Sequence, residues 1–134
     1  MSLSEDFVQE NQSVNFETYY DEKKEELWFV TDKNTYQTFR SIGFKHQSRY
    51  LKLLVSQYTE EGSESILAIF DDNAKMISDE IISSNANRLN SKTTEITIDI
   101  GDPTGNQQNV QLRFKSSVEG KKARFRVLQV WLEG

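Results

Sequence analysis

The segment from Thr93 to Ile100 constrains the fold more than any other. Ile96, Ile98 and Ile100 fall on one side of the backbone and Glu95, Thr97 and Asp99 on the other. A strict period of two over eight residues reads as a half-buried β-strand, because successive side chains of a strand point to opposite faces. Beyond the loop 101–109, Val110, Leu112 and Phe114 alternate in the same way with Gln111, Arg113 and Lys115. Glu119-Gly120-Lys121 then turns the chain into Ala123 to Leu132. These segments predict a C-terminal three-strand antiparallel sheet.

The N-terminal part shows the same signal. Val14, Phe16, Thr18 and Tyr20 alternate with Asn15, Glu17 and Tyr19, and after a charged run comes Leu27-Trp28-Phe29-Val30-Thr31. This predicts a β-hairpin with a solvated loop. Residues 1–13 are polar apart from a few side chains such as Phe7 and Val8, and read as a flexible N-terminal arm ahead of a single domain at 14–134. A length of 134 residues suits one domain of this kind.

The middle of the chain reads differently. Tyr36, Phe39 and Ile42 are spaced three apart between a capping Asp32 or Asn34 and a terminating Gly43, which predicts a short helix. Leu51, Leu54, Val55 and Tyr58 follow the i, i+3, i+4, i+7 spacing of an amphipathic helix that ends at Gly62. A strand over 50–58 competes with this reading, since β-branched and aromatic residues are frequent there. Residues 64–83 fit two patterns equally. Ile66, Ile69, Phe70, Ile77 and Ile81 form a helical stripe, whereas Asp71-Asp72-Asn73-Ala74 resembles a hairpin turn. The fold class expected is therefore α+β: an N-terminal hairpin, a central mostly helical segment, and a C-terminal three-strand sheet. Its core is expected to hold Phe16, Leu27, Phe29, Phe39, Leu51, Leu54, Val55, Ile96, Ile98, Leu112, Phe114, Phe125 and Val127.

Composition narrows the function by exclusion. The chain has no cysteine and one histidine, His46, so thiolate chemistry and a histidine-based metal site are both absent. Asp71-Asp72-Asn73 opens like a calcium loop but Lys75 stands where an oxygen ligand belongs. Gly101-Asp102-Pro103-Thr104-Gly105 lacks the lysine ending of a phosphate loop and precedes a strand. Asp79 and Glu80 have no catalytic partner evident. No cofactor or metal is expected, and an enzyme is disfavoured. The absence of a long apolar run argues against a membrane span, and an acidic start without a leader pattern suits a cytoplasmic protein.

Charge is unevenly spread around the net −5. Residues 33–58 and 113–126 are basic and carry interleaved aromatics, the composition of nucleic-acid platforms. That reading assigns phosphate contacts to Arg40, Lys45, Arg49, Arg113, Lys115, Arg124 and Arg126. The acidity of the rest of the chain opposes it. The reading favoured instead is a non-enzymatic, cytosolic protein-interaction module, either self-associating or binding a protein partner. Its basis is the last strand, where Leu128, Val130, Trp131 and Leu132 place apolar side chains on both faces. A third reading is a small-ligand binder or small enzyme with a pocket lined by Tyr36, Phe39, Tyr50 and Tyr58.

Overall fold

The computed structural model describes residues 17–21 and 26–134. The residues expected as the N-terminal arm and the side chains of Phe16 and Leu27 lie outside this range. Nine strands account for the architecture: β1 (Glu17–Asp21), β2 (Glu26–Thr31), β3 (Gln37–Lys45), β4 (Tyr50–Thr59), β5 (Ser65–Asp71), β6 (Ile81–Ser83), β7 (Lys92–Asp99), β8 (Gln107–Ser116) and β9 (Ala123–Glu133). One 3-10 turn at Arg88–Asn90 is the sole helical element among the described residues. The strands form two antiparallel sheets, one ordered β1-β2-β9-β4-β7 and the other β3-β8-β5-β6. The α+β expectation is thereby overturned. The described residues form an all-β sandwich.

Both expected central helices are strands. In β4, Leu51, Leu53 and Val55 are fully buried and face the opposite sheet, while Lys52 and Leu54 point outward and are partly exposed. Period two governs this segment. The helical spacing of Leu51, Leu54, Val55 and Tyr58 arose because the outward face of β4 is itself partly apolar, so apolar residues fell in both phases. In β3 a bulge between Thr38 and Arg40 shifts the phase, which spaces Phe39 and Ile42 three apart although both point inward. Across residues 64–83 the chain follows the hairpin pattern: β5 leads through a turn with Ala74 at φ 61° to a bridge between Phe70 and Met76.

The C-terminal strands do not pair with one another. β7 pairs with β4, β8 lies between β3 and β5, and β9 lies between β2 and β4. A three-strand C-terminal sheet was expected because consecutive strands commonly neighbour each other. Here the chain crosses between the two sheets after β7 and again after β8.

The core lies between the sheets. Phe29, Leu51, Leu53, Val55, Ile96, Ile98, Phe125, Val130 and Leu132 come from the five-stranded sheet. Phe39, Ile42, Phe44, Leu67, Ile69, Val110, Leu112 and Phe114 come from the four-stranded one. At its centre Phe125 meets Phe39 and Phe114 edge to face, with ring centroids 4.5 and 4.0 Å apart. Phe39 in turn meets Phe29 at 4.0 Å. Such edge-to-face pairs add about 0.5–1.5 kcal/mol each beyond area burial.

Candidate functional site

Of the seven basic residues predicted to contact phosphates, six lie over aromatic rings, and they are spread over both sheets and the β3–β4 loop. On the outer face of the four-stranded sheet, Arg113 lies 4.7 Å from the Phe70 ring centroid and Lys115 lies 4.4 Å from that of Tyr36. Tyr36 donates its hydroxyl hydrogen bond to Glu80, which also faces Lys115 at 4.0 Å. Burial and the adjoining carboxylate push the Tyr36 phenol well above its ordinary pKa. On the five-stranded sheet, Arg124 covers Tyr58 at 5.1 Å and Arg126 covers Trp28 at 4.8 Å. Arg40, at the β3 bulge, rests over Phe39 and Phe29, and its burial lowers the guanidinium pKa. Lys45 is exposed at the end of β3, remote in register from Lys115 on β8.

The loop end beyond β3 is tied by two residues. Arg49 reaches Asp99 at 3.0 Å and Asp102 at 2.9 Å. The Gly101 backbone N–H and then Arg49 hold the Asp99 carboxyl below its ordinary pKa. His46 is 4% exposed; its Nε2–H donates to the Gly101 carbonyl at 3.1 Å and its Nδ1 accepts from the Thr104 hydroxyl at 3.4 Å. The backbone of His46 also bonds Asn106 and Gly105. The histidine is thus a structural clasp between the β3–β4 and β7–β8 loops.

The last strand resolves the surplus of apolar residues. Gln129 pairs with Leu54 and Val127 with Val55, so Leu128 is an extra residue without a partner on β4. This bulge changes the phase of β9. Phe125 and Val127 point inward before it, and Val130 and Leu132, 0% and 3% exposed, point inward after it. Val130 and Leu132 therefore present no surface, and Leu128 is left part-exposed at the bulge. Trp131 faces outward.

Around Trp131 the register builds a flat, polar field. Trp131, Lys52 and Thr97 form one row across β9, β4 and β7; Gln129, Leu54 and Glu95 form the row beside it, and Glu133, Tyr50 and Asp99 the row on the other side. Lys52 joins the rows diagonally, with Nζ 2.7 Å from Glu133 and 3.7 Å from Glu95. The contact with Lys52 holds the Glu133 carboxyl below its ordinary pKa, with a smaller contribution from Trp131, and Glu133 in turn raises the Lys52 ammonium. The Trp131 indole is half-buried, and among the described residues no cation or second aromatic ring stacks on it. Tyr36, Tyr58, Trp28 and Phe70 each carry a cation over the ring. Among the described residues Trp131 is therefore an outward-facing aromatic ring with no stacked cation or ring.

Tyr36, Phe39, Tyr50 and Tyr58 do not converge. Phe39 is in the core, Tyr36 lies outside the four-stranded sheet, and Tyr50 and Tyr58 lie outside the five-stranded sheet. The aromatic pocket expected from sequence is absent from the described residues. A cleft of about 200 Å³ lies elsewhere, at one edge of the sandwich, lined by Ser78, Asp79 and Ile81 on one side and by Thr94, Glu95, Ile96 and Thr97 on the other. No sequence signal marked it, because its two walls are 13 or more residues apart and meet through sheet topology alone.

No protein-family model matches the sequence, and no curated protein matches it. Solved structures do share the fold. The sandwich is similar to TmCBM61, solved in complex with β-1,4-galactotriose, with a TM-score of 0.57 at 12% identity over 95% of this chain and 87% of that one. It is also similar to the C-terminal CBM6 of LamC, a laminarinase from Zobellia galactanivorans, with a TM-score of 0.54 at 11% identity over 89% and 96% of the two chains. A third similarity, TM-score 0.54 at 12% identity, covers 96% of this chain but 17% of a family GH115 4-O-methyl-α-glucuronidase. These likenesses show a shared β-sandwich fold. The reading as a cytosolic protein-interaction module or homodimer is overturned: of Leu128, Val130, Trp131 and Leu132, on which it relied, Val130 and Leu132 are buried, and the solved structures TmCBM61 and the CBM6 of LamC that share the fold are carbohydrate-binding modules. The nucleic-acid reading is overturned as well, since its seven basic residues are split between two sheets and the β3–β4 loop and largely occupied by rings and carboxylates.

Proposed function

We infer that the chain is a carbohydrate-binding module whose outer five-stranded sheet face stacks a sugar ring on Trp131. The observation that carries this reading is the combination of a half-buried, outward-facing indole, with no cation or ring stacked on it among the described residues, and hydrogen-bonding side chains in the adjoining rows. The axial C–H face of a pyranose is apolar and fits an aromatic ring, while its equatorial hydroxyls need donors and acceptors at the rim. Glu95, Glu133 and Gln129 offer acceptors, and Lys52 and Gln129 offer donors, all in adjoining rows. The fold likeness to modules solved with oligosaccharide supports the same class of ligand.

The expected contribution of the ring follows from area. A pyranose that covers about half of the roughly 200 Å² a tryptophan can bury removes ~100 Å² from water. At about 25 cal/mol per Å² this amounts to ~2.5 kcal/mol, or about 60-fold in affinity. Isothermal titration against cello-, xylo- and β-1,4-galacto-oligosaccharides tests it. Binding that falls by about this factor in Trp131→Ala is the expected result. Trp28 is 0% exposed, so acrylamide quenching reports Trp131 and should weaken on ligand addition. Absence of binding to the whole panel, or binding indifferent to Trp131→Ala, refutes the assignment.

A further inference from the structure

The Trp131 face and the edge cleft share β7. Glu95 and Thr97 point outward beside Leu54 and Lys52 in the Trp131 field, and the same two residues line the cleft. Between them Ile96 faces inward and forms the cleft's apolar floor with Ile81 across the gap. Thr94 adds a hydroxyl oxygen that is buried and has no hydrogen-bond partner. The far wall is set by β5: the Ile69 N–H donates to the Ser78 hydroxyl oxygen at 2.9 Å, and the Ile77 N–H donates to the Ile69 carbonyl at 2.9 Å. Those bonds fix Ser78 and Asp79 opposite β7. Asp79 is exposed and makes no ion pair among the described residues, whereas its neighbour Glu80 is committed to Tyr36 and Lys115.

Two strand spacings of about 4.8 Å separate β9 from β7, so Trp131 lies ~10 Å from the mouth of the cleft, about the length of two linked pyranose rings. Resting on the carbohydrate-binding reading above, we propose that the two features form one track for an extended oligosaccharide of three or more rings. One ring stacks on Trp131, the chain crosses Lys52 and Thr97, and a further ring enters the cleft between Asp79 and β7. The track also selects by charge. Glu95, Glu133 and Asp79 outnumber Lys52, and Lys52 is already paired with Glu133. An anionic chain would bring uronate carboxylates against these groups, so the ligand class is a neutral glycan.

The test is affinity against chain length, measured by isothermal titration with neutral cello-, xylo- and β-1,4-galacto-oligosaccharides of two to five units and with oligogalacturonides of the same lengths. The wild-type chain should bind tetramers about tenfold more tightly than dimers and should bind the oligogalacturonides more weakly than neutral chains. Asp79→Ala and Asp79→Arg change an exposed residue outside the core, so the variants should fold. They should leave dimer affinity unchanged and abolish the gain with length. Trp131-dependent binding that shows no gain with length, or a gain that survives both Asp79 variants, overturns the track while leaving the Trp131 site intact. Stronger binding of the oligogalacturonides overturns the selection for neutral chains. Failure of every oligosaccharide to bind overturns both readings together.

Discussion

The edge-to-face contact between Phe39 and Phe125 joins β3 of one sheet to β9 of the other across 4.5 Å, and a double-mutant cycle on this pair measures the sandwich directly. Phe39 is 1% exposed and Phe125 0%, so either Phe→Leu change alters a closed interior. Leucine keeps much of the volume, and each single substitution should cost about 1–1.5 kcal/mol. The double variant should lose less than the sum. Once one ring is gone the other has no quadrupole to meet, and the coupling recovered should be about 0.5–1.5 kcal/mol. Urea unfolding followed by tryptophan fluorescence is suitable, because the fully buried Trp28 changes environment on unfolding. A total stability of about 5–15 kcal/mol leaves the double variant folded in water. Additivity within about 0.3 kcal/mol would show that the rings do not touch, and the packing of β3 against β9 would then be wrong.

His46→Ala removes the clasp on the Gly101 carbonyl and the Thr104 hydroxyl, and thermal unfolding should show a loss of about 1–3 kcal/mol from the unsatisfied loop groups. The Asp99 carboxyl is held low by the Gly101 N–H and Arg49, so its contribution is present above the ordinary value of 3.8 and disappears as pH falls through its lower folded value. An NMR titration of Asp99 should move toward the ordinary value in Arg49→Gln. Tyr36 is raised, so its contribution is complete below pH 10 and is lost as pH rises toward its folded value; ultraviolet titration should find a tyrosine ionising above the ordinary value, and Glu80→Gln should bring it down.

What the sequence revealed depended on how cleanly each strand separated its faces. β7 alternates perfectly because its outer face carries Thr97, Glu95 and Asp99, all polar. In β4 the outer positions include Leu54 and Tyr58, the latter only 7% exposed under Arg124 and beside Trp28. With both faces apolar, periodicity lost its power to separate strand from helix. β5 is a stronger case: Ser65 through Phe70 are buried without interruption, and a short buried strand of this kind is indistinguishable from a buried helix by pattern. Sheet membership was hidden for a different reason. Nothing in the alternation of β7, β8 and β9 encodes that β4 separates two of them and that the third lies in the opposite layer.

The candidate site depends on one residue of phase. Counted inward from Phe125 and Val127 without interruption, β9 would bury Gln129, Trp131 and Glu133 and expose Leu128, Val130 and Leu132. Burying a carboxylate and an amide in an apolar interior costs several kcal/mol, whereas Val130 and Leu132 gain by entering it. A bulge that inserts Leu128 satisfies both demands, with the cost confined to one unpaired residue. The signature is present in the sequence as a switch of apolar phase between Val127 and Leu128. Read as two apolar faces, that switch suggested a sticky strand; read as a bulge, it turns the Trp131 indole outward into line with Lys52 and Thr97. The same residue that looked like surplus hydrophobic surface is therefore what aims the aromatic ring at solvent, on a stretch of β9 paired with β4.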